Sequence, residues 1–122
     1  MIQRIAPQFF TSALAETIAY YAESLGFDCG EPYGDPPSYA IVRRDGHPIH
    51  FRLSDCLPPH PDKYDDELLD AYIYVGDVDA LYEEYRNRGV IFSRELRDMP
   101  WRMREFVVKD CDGRLLCFGG DL

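Results

Sequence analysis

The chain has 122 residues and few of the residues that most chemistry-specific patterns require: four cysteines, three histidines and one tryptophan. Cys29, Cys56, Cys111 and Cys117 are scattered without a Cys-x-x-Cys pair. Zinc-finger spacing is therefore absent, and nothing suggests a secreted disulfide framework. Reduced thiols in a cytoplasm are the simplest account, so a cytoplasmic location is expected. No apolar run approaches the roughly 20 residues that cross a bilayer, and no membrane partner is expected. Met1 to Phe10 lacks a long apolar core and a small-residue cleavage site, so it does not read as a secretory signal. A Gly-rich phosphate loop and a Gly-x-Ser-x-Gly elbow are also missing. Basic residues number 13 against 22 acidic ones, a net charge of −9. That balance repels phosphate backbones, so nucleic acid is not an expected partner, whereas small cations would be attracted.

What is present is ordinary for a globular protein, with 46% hydrophobic and 29% charged residues. The length suits one domain, or two small repeats sharing a sheet. The stretch from Trp101 to Asp121 organises the chain. Two apolar runs, Phe106 to Val108 and Leu115 to Phe118, flank Asp112-Gly113. Glycine tolerates positive φ, so Asp-Gly between β-prone runs predicts a tight hairpin.

The rest falls into two similar halves. Ile5 to Phe10 reads as a strand, and Thr11-Ser12 offers an N-cap with Glu16 near the first turn. Leu14, Ile18, Tyr21 and Leu25 form a helical stripe stopped by Gly26. Phe27 to Tyr33 reads as a second strand, broken by Gly34-Asp35-Pro36-Pro37. Tyr39 to Arg44, an Asp45-Gly46 turn and Ile49 to Leu53 complete a β-α-β-β-β half over residues 1–55. Residues 56–67, with three prolines and an acidic cluster, read as a solvated linker. In the second half, 68–122, Ala71 to Val75 is the first strand. Asp77 caps a helix with Val78, Leu81, Tyr82 and Tyr85 on its buried stripe, ended by Gly89. Val90 to Ser93 and the hairpin follow. The expected class is α+β, built from two βαβββ modules of about 55 to 60 residues in one domain, 1–122.

This order resembles the vicinal oxygen chelate superfamily, which contains glyoxalase I, extradiol dioxygenases and bleomycin-resistance proteins. The resemblance covers almost the whole chain. Its pieces are Tyr20-Tyr21 with Leu25-Gly26-Phe27, and Tyr72-Ile73-Tyr74-Val75 with Asp77-Val78-Asp79-Ala80-Leu81-Tyr82. The third is Pro100-Trp101 with Arg104-Glu105-Phe106 and Asp110-Cys111-Asp112-Gly113. Pro-Trp with Arg-Glu-Phe looks most like the bleomycin-resistance branch. Two departures are Arg102, where that branch usually carries Gly, and Cys111, where Pro is common. The resemblance implies curved mixed sheets around a cavity and a homodimer. In that branch, cavities between subunits, with aromatic walls and acidic surroundings, sequester a cationic glycopeptide without chemistry on it.

Metal-dependent members aim His, Gln or Glu into the cavity from the first and last strand of each module, because a divalent ion needs converging N or O donors. Those positions fall here at Ala6, His50, Asp70 and Cys117. Ala6 cannot ligate, so the facial set is broken. No metal, other cofactor or catalytic residue is expected. His50, Asp70 and Gln8, which lies on the same face as Ala6, remain weak metal candidates. Cys117 reads as a small buried hydrophobe.

Even spacing places Tyr72 and Tyr74 on the face of Asp70. Tyr33, Tyr39 and Trp101 match aromatic positions of the resistance branch and would form the other wall with His50. These seven residues are the expected ligand site, since aromatic faces stack on planar ligands and attract cations. Arg104 and Glu105 alternate faces, so at most one reaches a given cavity. The expected function is binding of an aromatic ligand, cationic ones included, without turnover. A metal-dependent glyoxalase-type lyase or thiol transferase is the alternative. A ligand-free adaptor that uses the fold only to dimerise is a third.

Overall fold

Alternation along each strand sorts side chains into a face that packs on a helix and a face that does not, and this sorting builds the protein twice. The computed structural model describes residues 1–122 as two units, Met1–Pro58 and Pro59–Leu122. The class is α+β with two βαβββ modules.

In the first unit, β1 (Gln8–Thr11), α1 (Leu14–Glu23), β2 (Asp28–Cys29), β3 (Tyr39–Arg44) and β4 (His47–Leu53) form a sheet of order β1-β4-β3-β2. β1 runs parallel to β4, and the other pairs are antiparallel. Ala40, Val42, Ile49 and Phe51 are buried on one face with Tyr21 and Leu25. The Tyr21 ring meets Phe51 edge-on at 4.8 Å and Phe27 at 5.8 Å.

The second unit repeats the plan with β5 (Ala71–Tyr74), α2 (Val78–Asn87), β6 (Phe92–Asp98), β7 (Met103–Lys109) and β8 (Leu115–Asp121), in the order β5-β8-β7-β6. β5 is parallel to β8. Phe106 and Phe118, paired across β7 and β8, stack at 5.2 Å and 14°. Tyr82, Tyr85 and Phe92 close around Phe106 at 5.4, 6.0 and 5.6 Å. Asp77 caps α2, accepting from the Ala80 amide at 3.1 Å. No helix is long and apolar enough to cross a membrane.

Several boundaries differ from the sequence expectation. β1 starts at Gln8 rather than Ile5, immediately after Pro7, which lacks an amide proton for a ladder. The strand expected over Phe27 to Tyr33 shrinks to Asp28–Cys29 plus an isolated bridge from Tyr33 to Tyr39, because Gly30 and Pro32 interrupt it. The N-cap position of α1 is Ala13, without a side-chain cap. Thr11 instead accepts from the Ala13 amide at 3.2 Å and pairs with the Thr17 hydroxyl at 2.8 Å. β6 runs on to Asp98 through charged residues, as an edge strand can when its outer side meets water. The segment expected to be a solvated linker carries the buried Lys63, whose ammonium donates to the Leu68 carbonyl at 3.3 Å and to Asp70 at 2.5 Å.

Removing the ring at the centre of the second core, Phe106→Ala, is expected to cost about 3–5 kcal/mol, measurable as a lower midpoint in urea unfolding.

Candidate functional site

On the second unit, the sheet face away from α2 carries Glu105 and Val107 from β7, Cys117 and Gly119 from β8, and Tyr72 from β5. Arg104, one residue earlier, lies on the helix side, where it bonds Asp98 at 2.7 Å and Asp79 of α2 at 3.1 Å. The alternation expected of Arg104 and Glu105 is what separates them.

Glu105 is 1% exposed, and its carboxylate is surrounded by donors. The Tyr72 hydroxyl donates to Oε2 at 2.6 Å, and the Trp101 Nε1–H donates to the same oxygen at 2.8 Å. Arg94 on β6 donates to Oε1 at 3.0 Å, and the Cys117 thiol is a further donor. Arg94 in turn forks onto Glu67, with Nε at 3.0 Å and Nη2 at 2.9 Å, and reaches the Met99 sulfur at 3.1 Å. A buried carboxylate without partners would be very costly, and here the donors supply them.

The same contacts set the titration of the group. Burial alone would push the Glu105 carboxyl up, but hydrogen bonds from Tyr72, Trp101, Arg94 and Cys117 outweigh it and hold the carboxyl below its ordinary value. Burial, then the hydrogen bond to Glu105 and the charge of that carboxylate, push the Tyr72 phenol up. Burial followed by the same charge pushes the Cys117 thiol up to about 12. Cys117 is consequently an inert thiol at neutral pH.

The aromatic surface stands on this base. Trp101 is 58% exposed in the turn between β6 and β7. Tyr74 is 80% exposed and its ring lies 4.9 Å from that of Tyr72. Arg102, next to the tryptophan, has φ 65°, the left-handed conformation that glycine adopts without strain.

Of the seven residues expected to bind ligand, Trp101, Tyr72 and Tyr74 lie together in the second unit. Tyr33, Tyr39 and His50 lie together in the first. There the Tyr39 hydroxyl is hydrogen-bonded to His50 Nδ1 at 2.7 Å and accepts from the Gln8 side-chain amide at 2.9 Å. Tyr33 meets Tyr39 edge-on at 6.4 Å. Asp70 sits just before β5, where its carboxylate accepts from Lys63 at 2.5 Å and from the Leu115 amide at 2.9 Å. Glu105, Arg94 and Glu67 were not among the expected site residues. The sequence signal for Glu105 was its place two residues from Val107 and four from Trp101; Glu67 and Arg94 carried none.

The donors at the four positions expected from the resemblance do not suit a metal ion. Ala6 has none, the Nδ1 of His50 is engaged in a hydrogen bond with the Tyr39 hydroxyl, Asp70 is occupied by Lys63, and the Cys117 thiol stays protonated. No group of three His, Cys, Asp or Glu side chains is arranged so that it could hold a metal ion.

The family model described as Glyoxalase/Bleomycin resistance protein/Dioxygenase superfamily matches residues 2–118. The chain belongs to this superfamily. Solved structures of the superfamily fold agree in architecture. A glyoxalase-related enzyme from Clostridium phytofermentans superposes with a TM-score of 0.80 at 17% identity, covering 100% of this chain and 97% of its own. TioX from Micromonospora sp. ML1 gives 0.76 at 18% identity, with 98% and 99% covered. The bleomycin-binding protein of Streptomyces verticillus, complexed with copper(II)-bleomycin, gives 0.72 at 24% identity, with 97% and 95% covered. At these identities the likeness is one of fold. No curated protein matches the sequence.

The titrations give a signed expectation. Because the folded Glu105 value is lowered, its contribution to stability is full above the unfolded carboxyl value, 4.5, and is lost as pH falls through the folded value. Because the Cys117 value is raised, its contribution is full below 9.0 and is lost as pH rises toward about 12. Melting temperature measured against pH is expected to fall at both ends, and Glu105→Gln is expected to flatten part of the acid limb.

Proposed function

We propose that this protein binds a small aromatic molecule, cationic ones included, non-covalently and without turnover, as a cytoplasmic homodimer. The observation that carries the reading is Trp101: a half-exposed indole tied by its N–H to a buried carboxylate, with the Tyr72 and Tyr74 rings in the same unit. Exposed aromatic area of this kind is suited to stacking on planar ligands. The net charge of −9 favours cationic ones. The saturated Glu105 supports binding over catalysis, since its lone pairs accept from the protein's own side chains. Four free cysteines suit a reducing compartment. For a second copy to cover, edge strands β1 and β5 present Phe10, 52% exposed, and Tyr74.

The structural likeness to a bleomycin-binding protein supplies the probe. Titration with copper(II)-bleomycin and with metal-free bleomycin is expected to quench Trp101 fluorescence saturably, near one ligand per subunit. The response should vanish in Trp101→Ala that still folds. A flat titration with both forms would overturn this choice of ligand class.

A further inference from the structure

We propose that Glu105 is a positioning residue: one carboxylate oxygen fixes the Trp101 indole and the Tyr72 phenol together, and so sets the angle at which both rings face a bound molecule. The inference deepens the ligand-binding reading and rests on it for the ligand, though not for the tether itself.

A tryptophan that is 58% exposed on a turn would ordinarily exchange among several staggered rotamers. Here Nε1–H points at Glu105 Oε2, 2.8 Å away, and Tyr72 shares that oxygen at 2.6 Å. The carboxylate itself is not free to turn. Arg94 holds the other oxygen at 3.0 Å, and Arg94 is anchored by its fork onto Glu67. The turn that carries Trp101 is closed beneath it, with the Met99 amide on the Met103 carbonyl at 2.8 Å and the Arg102 amide on the Met99 carbonyl at 3.1 Å.

Gly119 completes the arrangement. It is the cross-strand partner of Glu105, and a Cβ at that position would collide with the Tyr72 hydroxyl and press on Glu105 Cγ at 3.2 Å. The glycine therefore leaves the space through which Tyr72 reaches the carboxylate. With its donors in place, Glu105 has little capacity to meet a cationic ligand directly. Its contribution to binding is indirect: a ring held in place before the ligand arrives need not be ordered afterwards.

The protein has one tryptophan, so a nitrogen-15-labelled sample gives one indole N–H resonance. In the wild type that resonance is expected downfield, protected from solvent exchange, and moving as Glu105 titrates below the ordinary carboxyl range. In folded Glu105→Gln the acid-range movement should disappear, exchange should quicken, and the near-ultraviolet tryptophan ellipticity should shrink. Copper(II)-bleomycin binding should weaken by about 3- to 10-fold, the ordering cost of one side chain. An indole resonance that ignores carboxyl titration in the wild type overturns the proposal, and this arm needs no variant to fold. So does a folded Glu105→Gln that keeps the wild-type indole signature, or that binds as tightly as the wild type. If the indole is tethered but wild-type protein binds neither form of bleomycin, the ligand reading fails and the tether stands.

Discussion

The buried carboxylate of Glu105 is the constraint on which the second unit's exposed surface depends. A carboxylate with 1% exposure is tolerable only when nearly every lone pair is met, and the four side chains that meet it come from β5, β6, β8 and the turn before β7. Those four side chains are thereby fixed relative to one another. The polar network does for this face what the Phe106 and Phe118 stack does for the other. One face of the sheet is defined by aromatic packing and the other by a satisfied charge beside the buried Val107, Leu115 and Cys117.

The second consequence concerns Arg94 and Glu67. Arg94 and Glu105 form a buried ion pair, and removing one member would leave the other uncompensated, which is far more costly than never having the pair; Glu67 adds a more exposed partner. Arg94 bridges two carboxylates, so its guanidinium is balanced by Glu67 and Glu105 together. Burial alone would make Arg94 easier to deprotonate, but the hydrogen bonds it donates to the two glutamates hold its proton more firmly than usual. The aromatic surface is thus supported by a three-member charge network rather than by a single contact.

Much of the fold was legible in the residues, and the reasons are local. Leu14, Tyr21 and Leu25 at helical spacing, Asp77 as a cap and Asp112-Gly113 between β-prone runs all act over a few neighbours, and the structure uses each of them. What was missed is non-local or depends on water. Charged residues hid the extension of the strand expected at Val90 to Ser93 on to Asp98, which one-sided exposure permits. Glu67 looked like one more acid in a solvated run, because nothing nearby in sequence announces Arg94, 27 residues on. Asp70, read as facing the pocket with Tyr72, instead pairs with Lys63 and the Leu115 amide. Arg102 is instructive in another way: its φ of 65° accounts for a glycine preference at that position in the resembled branch, and this chain accepts the strain.

The segment that opens the second unit has a meaning beyond joining two modules. Lys63 is bound to Asp70, the Tyr64 hydroxyl donates to the Gly113 carbonyl at 2.9 Å, and Glu67 holds Arg94. Three points of attachment within five residues make this stretch an outer brace of the sheet. Length variation among descendants of this sequence therefore has unequal consequences. Added residues before Pro61 lengthen a connection, whereas added residues between Lys63 and Glu67 would put the brace out of step with the sheet and detune the tryptophan at its far end.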